Sequence, residues 1–150
     1  MNLPSLVRDA FAPDGLLSRA VDEFKPRDVQ ADMAIAIGRT METGGVLVVE
    51  AGTGVGKTFA YQVPALLSGQ LVLISTATKT LQVQLFGRDL PRLTRALGLP
   101  VRTALLKGRS SYLCLHRMDV ARQSESLPDR LSGRTLTKIE QWSQVTRSGD

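Results

Sequence analysis

A chain of 150 residues and 16.3 kDa is one domain's worth of protein, long enough to bury a core and short for a machine that does mechanical work. Its longest apolar runs, VLVV and LVLI, are strand-sized and exclude a membrane helix, and the single cysteine, Cys114, excludes an internal disulfide and a self-contained cysteine-rich metal site. Nineteen Lys and Arg against fourteen Asp and Glu, a formal +5, favour a polyanionic partner without identifying one.

MNLPSLVRDAF has neither the basic start nor the apolar core of a secretory signal, so a cytoplasmic protein is expected. GLLSRAVDEF is a weak helical stretch. DVQADMAIAIGRTMETGG predicts a firmer helix, because Val29, Met33, Ile37 and Met41 recur every fourth residue and Gly44-Gly45 can end it. VLVVE (46–50) and LVLIST (71–76) have the composition of strands buried on both faces of a parallel sheet. Between them KTFAYQVPALLSG predicts a helix ending near Gly69, with a kink expected at Pro64. TKTLQVQLFGRDL follows as a helix with Thr78 at its N-cap, Pro91 opens another turn, and VRTALL (101–106) is a third strand. The pattern weakens from Ser124 into ESLPDRLSGR and a last helix, TLTKIEQWSQVTR, in which Trp142 is expected in the core. This alternation predicts an open, mostly parallel α/β sheet with helices on both faces and ligands at the carboxyl ends of its strands.

Ala51-Gly52-Thr53-Gly54-Val55-Gly56-Lys57-Thr58 has the Walker A spacing, with Ala in place of the first Gly. Glycines let the backbone turn its N–H groups inward around an anion, assisted by the positive end of the following helix. Lys57 would neutralise β- and γ-phosphate charge, and the Thr58 hydroxyl would ligate Mg²⁺. Hydrolysis in this class also needs an Asp at the end of a second strand, usually with a neighbouring carboxylate. The only Asp-Glu pair, Asp22-Glu23, precedes the loop, so these residues are expected to bind nucleotide and to hydrolyse it negligibly alone.

EAGTGVGKT, FAYQVPAL, ISTATKTLQVQL and LLKGRSSYLC occur in an order that resembles the N-terminal end of the DinG/XPD-like iron-sulfur DNA helicases of superfamily 2, over residues 11 to 118. The resemblance implies a RecA-like P-loop NTPase fold, incomplete in this chain. Residues 1–123 would be the start of the first ATPase domain, and 124–150 a helical segment of the iron-sulfur insertion. It further implies an ATP- and Mg²⁺-dependent helicase moving 5′ to 3′ on single-stranded or forked DNA. Such a protein would serve repair or replication in the bacterial nucleoid, as a monomer without membrane attachment and alongside other replication or repair proteins.

Residue by residue, FKPRDVQ resembles the family's adenine-reading element, with Gln30 the reader and Arg27 beside it; the residues alone allow Gln30 to be a polar group on a solvent-facing helix. STATKTLQVQ resembles the motif that contacts the backbone of the translocated strand, through Thr78 and Lys79, although Thr78 could cap its helix as well. GRSSYLC places Cys114 where the family has the first of four ligands of a [4Fe-4S] cluster, in a longer parent protein only. Without the resemblance Cys114 reads as a small buried apolar residue and His116 as a surface helix residue. Lys107 and Arg109 add positive charge beside it, for DNA or for the cluster loop. Two other classes stay open: a small P-loop phosphotransferase, and a non-enzymatic regulator that binds nucleotide or DNA.

Overall fold

The computed structural model describes residues 2–21, 24–123 and 130–150. Asp22-Glu23 and residues 124–129, with the first half of ESLPDRLSGR, lie outside them. The chain divides into a unit of residues 1–104 and a unit of residues 105–150.

The first unit opens with a helix absent from the sequence reading. In α1 (Leu3–Phe11) the Asn2 side chain accepts from the Ser5 N–H at 3.0 Å, and Pro4 stands in the first turn, where its missing donor is not needed. Leu3, Val7, Ala10 and Phe11 form its buried stripe. After the short α2 (Leu16–Ala20), α3 (Asp28–Thr43) packs against α1 and against α4 (Lys57–Leu67). α3 ends as expected at Gly44, whose φ of 77° suits glycine.

The core face of α3 is centred one position from the expected stripe: Gln30, Ala34 and Gly38 are buried, Met33 and Met41 pack partly buried against the core beside them, and Val29 is largely exposed. The shift has a steric cause: small residues let the helices approach closely, and a Cβ on Gly38 would meet Val7, Leu3 and Pro4 at 3.5–3.7 Å. Phe24 bridges the layers, its ring 6.1 Å from Phe11 and 6.2 Å from Phe59. Pro64 is buried inside α4, which continues to Leu67.

Thr78 caps α5 (Lys79–Gln84), its hydroxyl accepting from the Leu81 N–H at 3.2 Å. A π-turn at Leu85–Asp89 joins α5 to α6 (Leu90–Leu97), so the expected helix and the turn at Pro91 form one run. Leu90 N–H reaches back five residues to Leu85, and Pro91, next in line, has no N–H to continue the ladder. Asp89 is buried there, accepting from Gln84 Nε2 at 3.1 Å and Arg88 Nε at 2.9 Å.

The expected sheet is not formed among the described residues. VLVVE, LVLIST and VRTALL are not helical, and no ladder joins them. Their side chains keep a strand's period of two: Val46 and Val48 are 92% and 89% exposed where Leu47 and Val49 are 39% and 41%. Leu71 and Leu73 alternate with Val72 and Ile74 in the same way. A strand's N–H and C=O groups are satisfied only by neighbouring strands, which these segments do not supply to one another.

In the second unit a 3₁₀ turn, Arg109–Ser111, leads to α7 (Leu115–Gln123) and then to α8 (Arg130–Ser143). Leu113 N–H donates to Gly149 O at 2.8 Å, Lys107 N–H to the Tyr112 hydroxyl at 2.8 Å, and the Lys107 ammonium pairs with Asp150. Arg122 joins α7 to α8 through Glu140 at 2.9 Å. Trp142, expected in the core, is exposed; Met118 is the buried residue of α7. No helix among the described residues is long and apolar enough to cross a membrane.

Candidate nucleotide-binding site

Segment 46–50 runs into a loop that closes at Gly56, and α4 begins at Lys57. Gly54 and Gly56 have φ of 83° and 86°, in the left-handed region that an L side chain resists. A Cβ at Gly52 or Gly54 would meet nothing within 4 Å, so this side of the loop is open to a ligand. Thr53 is exposed and Val55 half-buried.

Lys57 lies back over the loop, its ammonium donating to Ala51 O at 2.8 Å and Gly52 O at 2.7 Å. Both contacts are to neutral carbonyls at the surface, and a phosphate would be a stronger partner for the ammonium. Two side chains from the start of α3 reach the far half of the loop: Arg27 donates to Gly54 O, and Gln30 Nε2 donates to Gly56 O at 2.7 Å. Arg27, Gln30 and residues 51–58, expected together at one site, are therefore brought together. Two cations now stand beside a helix N-terminus, an arrangement suited to a polyphosphate.

Thr58 follows on the first turn of α4, hydrogen-bonded to Tyr61 three residues on. Burial raises the Tyr61 hydroxyl above its ordinary value; the Thr58 hydrogen bond works against that rise, and the Asp89 charge adds to it. Tyr61 and Asp89 were missed in the sequence. The spacing of Thr58 and Tyr61 on one helix face was the available signal for the tyrosine; Asp89 comes from a later turn and had none.

Thr78 and Lys79 are exposed at the start of α5, and the Thr78 carbonyl accepts from the Thr76 hydroxyl at 3.3 Å. Cys114 is an exposed free thiol, not a buried apolar residue, and His116 is exposed on α7. No group of three or more His, Cys, Asp or Glu among the described residues could hold a metal ion. One accessible thiolate can contribute to an iron-sulfur cluster, but these residues do not complete one.

Glycine-bent loop, basic side chains and helix N-terminus together have the form of a P-loop NTPase's phosphate loop. Residues 28–137 match the DEAD/DEAH box helicase family, and the chain belongs to that family, which carries the P-loop NTPase fold. It is 43% identical over its whole length to the ATP-dependent DNA helicase YoaA of Haemophilus influenzae, covering 23% of that protein. It is 48% identical over 95% of its length to YoaA of Escherichia coli, covering 22%, and 42% identical over 81% to the ATP-dependent helicase DinG of Mycobacterium tuberculosis, covering 21%. The chain thus spans less than a quarter of the curated relatives it matches. No solved structure matches it.

Proposed function

We propose that these residues form the ATP-binding, N-terminal part of an ATP-dependent DNA helicase. The observation that carries it is the open phosphate loop with Lys57 and Arg27 gathered on it, in a chain of the DEAD/DEAH box family. Lys57 exchanges its loop carbonyls for β- and γ-phosphate oxygens, so its charge is redirected rather than newly ordered. The Thr58 hydroxyl serves Mg²⁺, oriented by Tyr61; the metal supplies charge neutralisation between the phosphates. Gln30 stands on the base side of the nucleotide, and Arg27 beside it reaches the phosphate loop.

Thr78 and Lys79 take the phosphate backbone of single-stranded DNA, contacts that position a strand without reading its sequence. The bare segments 46–50, 71–76 and 101–106 become strands of an open, mostly parallel RecA-like sheet with residues outside this chain, which also supply the hydrolytic carboxylates. Cys114 is the first of four ligands of a [4Fe-4S] cluster whose other thiolates lie outside residues 1–150. Residues 1–123 belong to the first ATPase domain and 124–150 to the insertion. The whole protein unwinds forked DNA 5′ to 3′ in repair or replication at the nucleoid, as a monomer, with other replication or repair proteins as partners. A match running from residue 28 to 137 favours this over a small phosphotransferase.

Titration of Mg²⁺-ATP against the native protein and Lys57→Ala tests the site. The variant should bind at least about tenfold more weakly, the scale of one charge-assisted contact. Equal affinities would remove Lys57 from the phosphate site.

A further inference from the structure

The first turn of α4 hangs from one carbonyl. Gly56 O accepts from the Phe59 N–H at 3.1 Å and the Ala60 N–H at 3.3 Å, which open the helix, and also from Gln30 Nε2 at 2.7 Å, the shortest of the three. Gln30 is only 4% exposed, so its amide is sequestered against the loop instead of extended toward solvent. The fit is close: a Cβ on Gly56 would lie 2.1 Å from Gln30 Nε2 and 2.9 Å from its Cδ. Only a glycine at 56 leaves room for the amide. Arg27, one turn earlier, holds Gly54 O, so α3 grips both left-handed glycines of the loop.

We infer that Gln30 is a positioning residue for the phosphate loop: its amide fixes the Gly56 carbonyl, and through it the peptide plane and helix N-terminus that receive the phosphates. The inference rests on the nucleotide-binding function proposed above. Its consequence is specific, because a group that acts through the loop affects every triphosphate, with or without a base. A group that acts only on adenine affects ATP alone. The amide's second N–H and its oxygen are chemically able to meet a base, so the two roles differ in what they predict for a ligand that has none.

The experiment measures Mg²⁺-tripolyphosphate and Mg²⁺-ATP affinity for the native protein, Gln30→Met and Gln30→Ala. It also follows amide hydrogen exchange at Phe59 and Ala60 without ligand. Methionine keeps most of the side chain's volume and removes the donor, so a packing defect confined to alanine is recognised. Both variants should bind tripolyphosphate about three- to tenfold more weakly, the net effect of one hydrogen bond. Exchange at Phe59 and Ala60 should quicken while helix α1 keeps its protection. Unchanged tripolyphosphate affinity, with any loss confined to ATP, would overturn the inference, as would unchanged exchange in Gln30→Met. Native protein that binds neither ligand would refute the proposed function instead, and the exchange data would still decide the role of Gln30.

Discussion

Gly56→Ala tests the local geometry most sharply. Gly56 sits at φ 86° and ψ 31°, where an alanine costs about 1–2 kcal/mol. The new methyl would overlap Gln30 Nε2 at 2.1 Å, so the buried amide must leave the Gly56 carbonyl, and stranding it costs a further ~1–3 kcal/mol. The variant should therefore lose about 2–5 kcal/mol of stability, read from urea unfolding with unchanged slope. Gly52→Ala is the internal control: its Cβ meets nothing within 4 Å and its φ is not left-handed, so its midpoint should move by no more than about 1 kcal/mol in either direction. The double variant Gln30→Ala/Gly56→Ala should be more stable than the sum of the single losses implies, by about 1 kcal/mol or more, because the clash is counted only once. A loss below ~0.5 kcal/mol in Gly56→Ala, or strict additivity in the double variant, would refute the reasoning.

Two further outcomes follow from packing and ionisation. Gly38→Ala places its methyl at ordinary contact distances of 3.5–3.7 Å from α1 and gains helix propensity, so it should stabilise the protein by up to ~1 kcal/mol in the same assay; a loss of that size would show that α1 cannot yield. Because folding raises the Tyr61 pKa, the stability linked to its proton is complete below the unfolded value of 10.0 and is lost as pH rises through the folded value. Unfolding midpoints measured from pH 8 to 11 should therefore fall less steeply for Tyr61→Phe than for the native protein, and parallel curves would contradict the burial of that hydroxyl.

What was legible in the sequence was local. The phosphate loop depends on glycine spacing within eight residues, and Thr78 announces α5 by the chemistry of a cap, so both appear where expected. Asn2 and Pro4 carried an equally local signal for α1 that was passed over. The stripe expected on α3 was right at Met33 and Met41, which pack against the core, and wrong at Val29, because close helix approach centres the buried face on Ala34 and Gly38. The strand segments were readable in composition only: a ladder depends on partners distant in the chain, and the described residues leave Val48 and Leu73 bare. Of the site, Lys57 and Thr58 could be named from spacing. The resemblance assigned Gln30, with Arg27 beside it, to the adenine; that both side chains reach the loop, at the Gly54 and Gly56 carbonyls, came only from the structure.

In the proposed function residues 51–58 are the ATP site of an ATP-driven DNA helicase. ATP hydrolysis by the protein at the length the cell makes it, with and without single-stranded DNA and beside Lys57→Ala, tests it most directly. Hydrolysis stimulated severalfold by DNA and abolished by the substitution is the predicted result. Hydrolysis indifferent to DNA, or undiminished in Lys57→Ala, would contradict the account.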